Sequence, residues 1–193
     1  GNDTLYGAAA NDSLSGGPGD DQLKGGEGND AIDGGDGADD IDTGNGLDSV
    51  LGGAGNDNVN GHPVNIQSGT YSFNAYASAK WVDAGAGDDF VYGGTGHDSL
   101  VGGDGSDSMH GDAGNDTLQG DAGDDALFGD DGADSLVGGA GSDAIETGDG
   151  QDTVSAGDGN DNINGRIVNA QEGTFTFSTV TGAKRLDAGA GDD

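Results

Sequence analysis

Aspartate returns every nine residues along most of this chain. From Gly16 the sequence reads GGPGDDQLK, GGEGNDAID, GGDGADDID, TGNGLDSVL and GGAGNDNVN, ending at Asn60, and the pattern resumes at Ala84 and runs to Asn164. Each unit has the form G-G-x-G-x-D-x-U-x, where U is aliphatic. A unit of nine residues cannot bury an apolar face alone, so a sustained period of nine requires neighbours that stack. The three glycines of the first half permit positive φ and tight turning, which makes that half a loop. The x-U-x half reads as a three-residue strand with U on one side and its neighbours on the other. The U positions are Leu5, Leu14, Leu23, Ile32, Ile41, Val50, Val59, Val91, Leu100, Met109, Leu118, Leu127, Leu136, Ile145, Val154 and Ile163. Strand, turn, strand, turn then closes one coil of 18 residues. The expected fold class is all-β: a parallel β-roll, a two-sheet right-handed β-helix of nonapeptide repeats, with the U side chains meeting in a thin core.

Composition alone points elsewhere. Of 193 residues 44 are Gly, 37 are Asp or Glu and only 5 are Lys or Arg, for a formal charge of −32, and 31% are hydrophobic. Such a chain resembles a disordered one, but low-complexity disorder has bias without a fixed register. The charge argues against nucleic acid or an anionic membrane as partner and favours multivalent cations. There is no cysteine, hence no disulfide framework and no thiolate metal site. No apolar run has the length of a membrane helix, so no membrane insertion is expected.

A second period lies above the first. Residues 1–89 realign with 105–193 at an offset of 104, which is nine nonapeptides and a 23-residue insert. The expected organisation is a roll block over 1–60, a β-hairpin insert over 61–83, a second roll block over 84–164, a second hairpin insert over 165–187, and the start of another block at 188–193. Both inserts carry V-N-x-Q-x-G-T, an aromatic pair (Tyr71 and Phe73; Phe175 and Phe177) and A-K-x-x-D-A-G-A-G-D-D. Their alternating polar and aromatic residues after a Ser-Gly or Glu-Gly turn have strand periodicity. Because 23 is one nonapeptide plus 14, Val82 and Leu186 fit the U position of a half-turn, with the stack continuing while 14 residues loop out. The alternative is a linker between separate rolls. The array breaks off within a nonapeptide at both ends, so a longer protein is expected.

One aliphatic side chain per nine residues contributes about 1.5–3 kcal/mol, less than the backbone entropy of ordering those nine residues. The aspartates are placed to recruit what is missing. Position six is Asp3, Asp12, Asp21, Asp30, Asp39, Asp48, Asp57, Asp89, Asp98, Asp107, Asp116, Asp125, Asp134, Asp143, Asp152, Asp161 and Asp193. Members 18 apart stack on one edge of the roll. Carboxylate and carbonyl oxygens in flexible loops suit Ca²⁺, which takes six to eight oxygen ligands, better than octahedral Mg²⁺. Pairing adjacent loops on each edge within each block predicts about twelve ions, and folding coupled to their binding. The loop carrying Asp12 is the weakest, because Ala8 and Ala10 replace glycines. Asp112, Asp121 and Asp130 replace the second glycine, either as extra ligands or as charge on the edge.

With these residues in view, the motif resembles the RTX (repeats-in-toxin, haemolysin-type) calcium-binding repeat over about three quarters of the chain. The resemblance implies a calcium-loaded parallel β-roll with the position-six Asp and loop carbonyls as ligands. It also implies a secreted, extracellular protein at the bacterial cell surface, exported by type I secretion, that folds outside the calcium-poor cytoplasm.

No catalytic constellation accompanies the repeats, so no enzyme is expected. His62, His97 and His110 have no partner at catalytic or zinc-binding spacing and read as surface residues; the glycine loops lack the Lys of a phosphate cradle. Phe90, Tyr92 and Phe128 stand at outward positions, read as packing under the hairpin with Trp81. The functional expectation is a calcium-dependent structural segment of a large surface protein of adhesin, S-layer or filament type. The rival is an accessory folding and secretion module of a secreted toxin or hydrolase. Two further partners stay open: other copies through roll ends or inserts, and a cell-surface or carbohydrate ligand of the inserts.

Overall fold

The computed structural model describes residues 1–60 and 79–163, together with the backbone of 166–167 and 185–187. Among the described residues its strands fall into two sheets of eleven and nine strands, and within the roll each strand pairs with the one a coil away rather than with its chain neighbour. In one sheet Leu5 lies opposite Leu23 and Leu23 opposite Ile41; in the other Leu14 lies opposite Ile32 and Ile32 opposite Val50. Pairing is parallel throughout the roll, and only Asn162–Ile163 with Arg166–Ile167 runs antiparallel. The U side chains from Leu14 to Ile163 form one continuous buried core, with Leu5 packed against its open end. These features are those of a parallel β-roll.

Most of the strands are longer than three residues. Gln22–Glu27 and Ala31–Asp36 each cover six, running on through the first two glycines and the third position of the next unit. The reason is that glycine lets successive coils approach closely enough to keep pairing: Gly17, Gly35 and Gly53 are stacked in register. An added Cβ on Gly35 would collide with the Gly17 carbonyl.

Pairing carries straight across the first insert. Val50 in Asp48–Ala54 lies opposite Val82 in Lys80–Ala86, and Val59 in Asn58–Val59 opposite Val91 in Phe90–Gly94. These partners are 32 apart, one coil and fourteen residues more, and Val154 opposite Leu186 repeats the spacing. Val82 is fully buried in the core. The expected hairpins fall mostly on residues 61–78 and 168–184, outside the described residues.

Asn60 marks where the chain leaves the roll. Its side-chain oxygen accepts from the Thr43 amide at 3.0 Å and hydroxyl at 2.9 Å, and its Nδ2 donates to the Tyr92 carbonyl at 3.0 Å. The side chain thus continues the ladder between the coil below and the coil above. On the outer face Tyr92, His110 and Phe128 stack ring on ring, with centroids 4.7 and 4.3 Å apart. His110 is therefore half-buried between two aromatic rings rather than a simple surface residue, while Phe90 and Trp81 are 47% and 42% exposed.

Candidate metal centre

The turns that follow the strands line the two long edges of the roll and place the position-six aspartates in two columns. One holds Asp3, Asp21, Asp39, Asp57, Asp89, Asp107, Asp125, Asp143 and Asp161; the other holds Asp12, Asp30, Asp48, Asp98, Asp116, Asp134 and Asp152. Asp193 lies outside the described residues. Apart from exposed Asp3 and half-buried Asp12, every one of these carboxyl groups is buried.

The two oxygens of each carboxylate differ. Oδ1 accepts the backbone N–H of the aspartate one coil earlier, as from Asp21 to Asp39 at 2.8 Å and from Asp98 to Asp116 at 2.8 Å. The Asp57 amide reaches Asp89 Oδ1 in the same way at 2.5 Å, so this column crosses the insert. Oδ2 is buried without a hydrogen-bond donor in Asp12, Asp21, Asp30, Asp39, Asp57, Asp89, Asp98, Asp107, Asp116, Asp125, Asp143 and Asp161. A buried carboxylate oxygen with no donor is strongly unfavourable unless a cation serves it.

Further acceptors converge on the same place. A Cβ built on Gly111 would lie 2.7 Å from Asp116 Oδ2 and 3.0 Å from the Gly129 carbonyl of the next coil. At positions two and four, Gly44 and Gly46 have φ of 85° and 141°, and a Cβ on either would strike the carbonyl of the coil below. The cradle is open only because these residues are glycine. Among the described residues no three acidic or His side chains converge, so backbone carbonyls must supply most of any ligand set. Such a set, one or two carboxylates among several carbonyls, suits the oxygen preference and flexible coordination of Ca²⁺.

Electrostatics agree. Burial pushes Asp57 and Asp143 up to about 6, and Asp89, Asp116 and Asp125 up to about 7; the amide on Oδ1 opposes this, and nearby carboxylates add to it. Asp39, Asp98 and Asp107 are raised for the same first reason. Asp112 is also raised by burial and by Asp130 beside it. Asp121 accepts from Gln119 at 2.5 Å and Asp130 lies 3.3 Å from His110 Nδ1, so these two position-two carboxylates have outward partners. Ala8 and Ala10 hold φ of 82° and 136°, strained for a residue with a Cβ, in the loop expected to be weakest.

Two features escaped the sequence reading. Position five carries a second ladder, in which an exposed Asn or Asp accepts the amide of the next coil, as Asn11 from Asn29 at 2.9 Å and Asp88 from Ser106 at 2.8 Å; His97 Nδ1 does the same for Asn115 at 2.7 Å. The frequency of Asn and Asp before the conserved-spacing Asp was its signal. Position six also has an exception: Lys80, opposite Asp48, takes the place of aspartate in the half-turn that closes the insert. Counting two residues back from Val82 would have found it.

A family profile described as the RTX calcium-binding nonapeptide repeat matches residues 1–32, 15–50, 33–63, 81–109, 101–136, 110–145 and 137–167. No curated protein matches the chain. The matched segments cover both stretches of coils and carry the same stacked aspartate loops, so the chain belongs to the RTX calcium-binding nonapeptide repeat family.

Proposed function

We propose that this chain is a calcium-dependent structural segment of a large secreted bacterial surface protein, of adhesin, S-layer or filament type, that folds on calcium after export by type I secretion. The observation that carries the calcium reading is the double column of buried Oδ2 atoms facing loop carbonyls. Position-six aspartates from Asp3 to Asp161 would hold the ions, with carbonyls of positions one, two and four. Calcium, when bound, supplies positive charge to oxygens that otherwise only repel one another. Pairing across the insert adds Asp57 with Asp89 to the pairs within blocks, giving about thirteen ions at one per adjacent aspartate pair.

The 104-residue unit favours a rod over an accessory module: it sets a 23-residue insert at a fixed interval in the sequence of a roll that pairs across it. Binding by the inserts to a surface glycan, and contact between copies through roll ends, fit the same reading. The test is far-ultraviolet circular dichroism with calorimetric titration of calcium into metal-stripped protein, repeated with magnesium. A cooperative gain of β-structure specific to calcium is expected. Full β-structure without calcium, or an equal response to magnesium, would overturn the reading.

A further inference from the structure

We propose that Lys80 is a built-in substitute for one cation of the column, so that the coil closing the insert is held by an ammonium group rather than by calcium. The inference rests on the calcium reading above. Lys80 occupies position six in register, opposite Asp48 below, and its backbone amide donates to Asp98 Oδ1 at 2.6 Å, the bond that Asp98 in turn makes to Asp116. Its side chain turns down into the cradle. Nζ donates to the Gly44 carbonyl at 3.0 Å, the Gly46 carbonyl at 2.9 Å and Asp48 Oδ2 at 2.8 Å. Both the Lys80 and Asp48 side chains are 0% exposed.

Those three acceptors are a position-two carbonyl, a position-four carbonyl and a position-six Oδ2, the same set that each neighbouring loop directs at the coil above it. Three N–H donors of one ammonium satisfy all three. A buried lysine with a carboxylate partner is retained because removing either leaves an uncompensated charge.

The loop beneath is adapted to it. At most other described loops position one is Gly, and Oδ2 lies where a Cβ on that glycine would stand; beneath Lys80 it is Thr43, fully buried and bonded through its hydroxyl to Asn60. The next supra-repeat reproduces the combination in sequence: Thr147, Asp152 and Lys184 stand 104 residues after Thr43, Asp48 and Lys80. Each 104-residue unit thus encodes the same three residue types at the same spacing.

The experiment counts calcium per chain by atomic emission after equilibrium dialysis, for the wild type and Lys80→Asp, with amine acylation mapped on the wild type in calcium. At least one additional ion is expected in Lys80→Asp, in the cradle of Gly44, Gly46 and Asp48. Acylation is expected at exposed Lys24 and not at Lys80. A folded Lys80→Asp with an unchanged ion count overturns the proposal. If that variant does not fold, the acylation map decides: Lys80 labelled as fast as Lys24 overturns the proposal, and protection supports it. A wild type that binds no calcium refutes the calcium reading itself, whereas a protected Lys80 beside a full complement of ions elsewhere supports both.

Discussion

A column aspartate such as Asp116 divides its labour between its two oxygens: Oδ1 fixes the register of the coil below, and Oδ2, buried without a donor, waits for charge. Asp116→Asn separates these roles. The amide oxygen can still accept from the Asp98 amide, which lies 2.8 Å from Asp116 Oδ1 in the wild type, while the carboxylate whose burial raises it to about 7 is removed. Without calcium the variant is expected to be more folded than the wild type at pH 8, by about 1–3 kcal/mol, the usual penalty of an unsatisfied buried group. With calcium the order reverses: the ion count falls by at least one and the folding midpoint moves to higher calcium. Chevron-free equilibrium denaturation at both extremes reads this directly. A variant with wild-type calcium dependence would remove Asp116 from the ligand set.

At the scale of the strand, the vulnerable point is the departure into the insert. Asn60 holds φ of 59° and bridges Thr43 to Tyr92. Asn60→Ala loses these bonds and places a Cβ residue in the left-handed region; Asn60→Gly loses the bonds alone. Both should destabilise the calcium-loaded roll, each lost bond by about 0.5–1.5 kcal/mol, with Ala the worse of the two. Equal stability of Asn60→Ala and wild type in urea would show that the ladder closes without the bridge. Because Val50 faces Val82 and Val59 faces Val91, the insert should also be dispensable for folding. Replacing residues 61–79 by Gly-Gly-Ala-Gly-Asn restores an 18-residue coil, and the product is expected to show the same calcium-induced β-signal; loss of the transition would mean the insert holds the roll together. The period of nine made the core and the columns legible before any coordinates, since U and Asp sit at fixed phase. The Lys80 clamp and the Asn60 bridge were not, because each departs from the period at one place. Val82 at the U position gives Lys80 its position-six identity, but nothing in the period says that a lysine there turns into the cradle, and only the break in the ladder gives Asn60 its task.

For the molecule as a whole, a formal charge of −32 and raised carboxylates in both columns, Asp89 in one and Asp116 in the other among them, make protons and calcium rivals for the same oxygens. Column members with folded values near 6 to 7, against 3.8 when unfolded, bind protons more tightly in the roll than in the open chain. By linkage, the metal-free roll is most stable when they are protonated and loses that stability as pH rises through about 6 to 7. Metal-stripped protein should therefore show more β-structure at pH 5 than at pH 8 by circular dichroism. In calcium the dependence takes the opposite sign: below about pH 7 each proton must leave before an ion binds, so affinity falls by up to roughly tenfold per pH unit per carboxylate. A calcium titration midpoint that moves to higher concentration from pH 8 to pH 5, alongside acid-induced folding without metal, is the expected pair of results. A metal-free spectrum that stays coil-like at pH 5 while calcium binding is unchanged would mean that the column carboxylates are not what sets the calcium requirement of the roll.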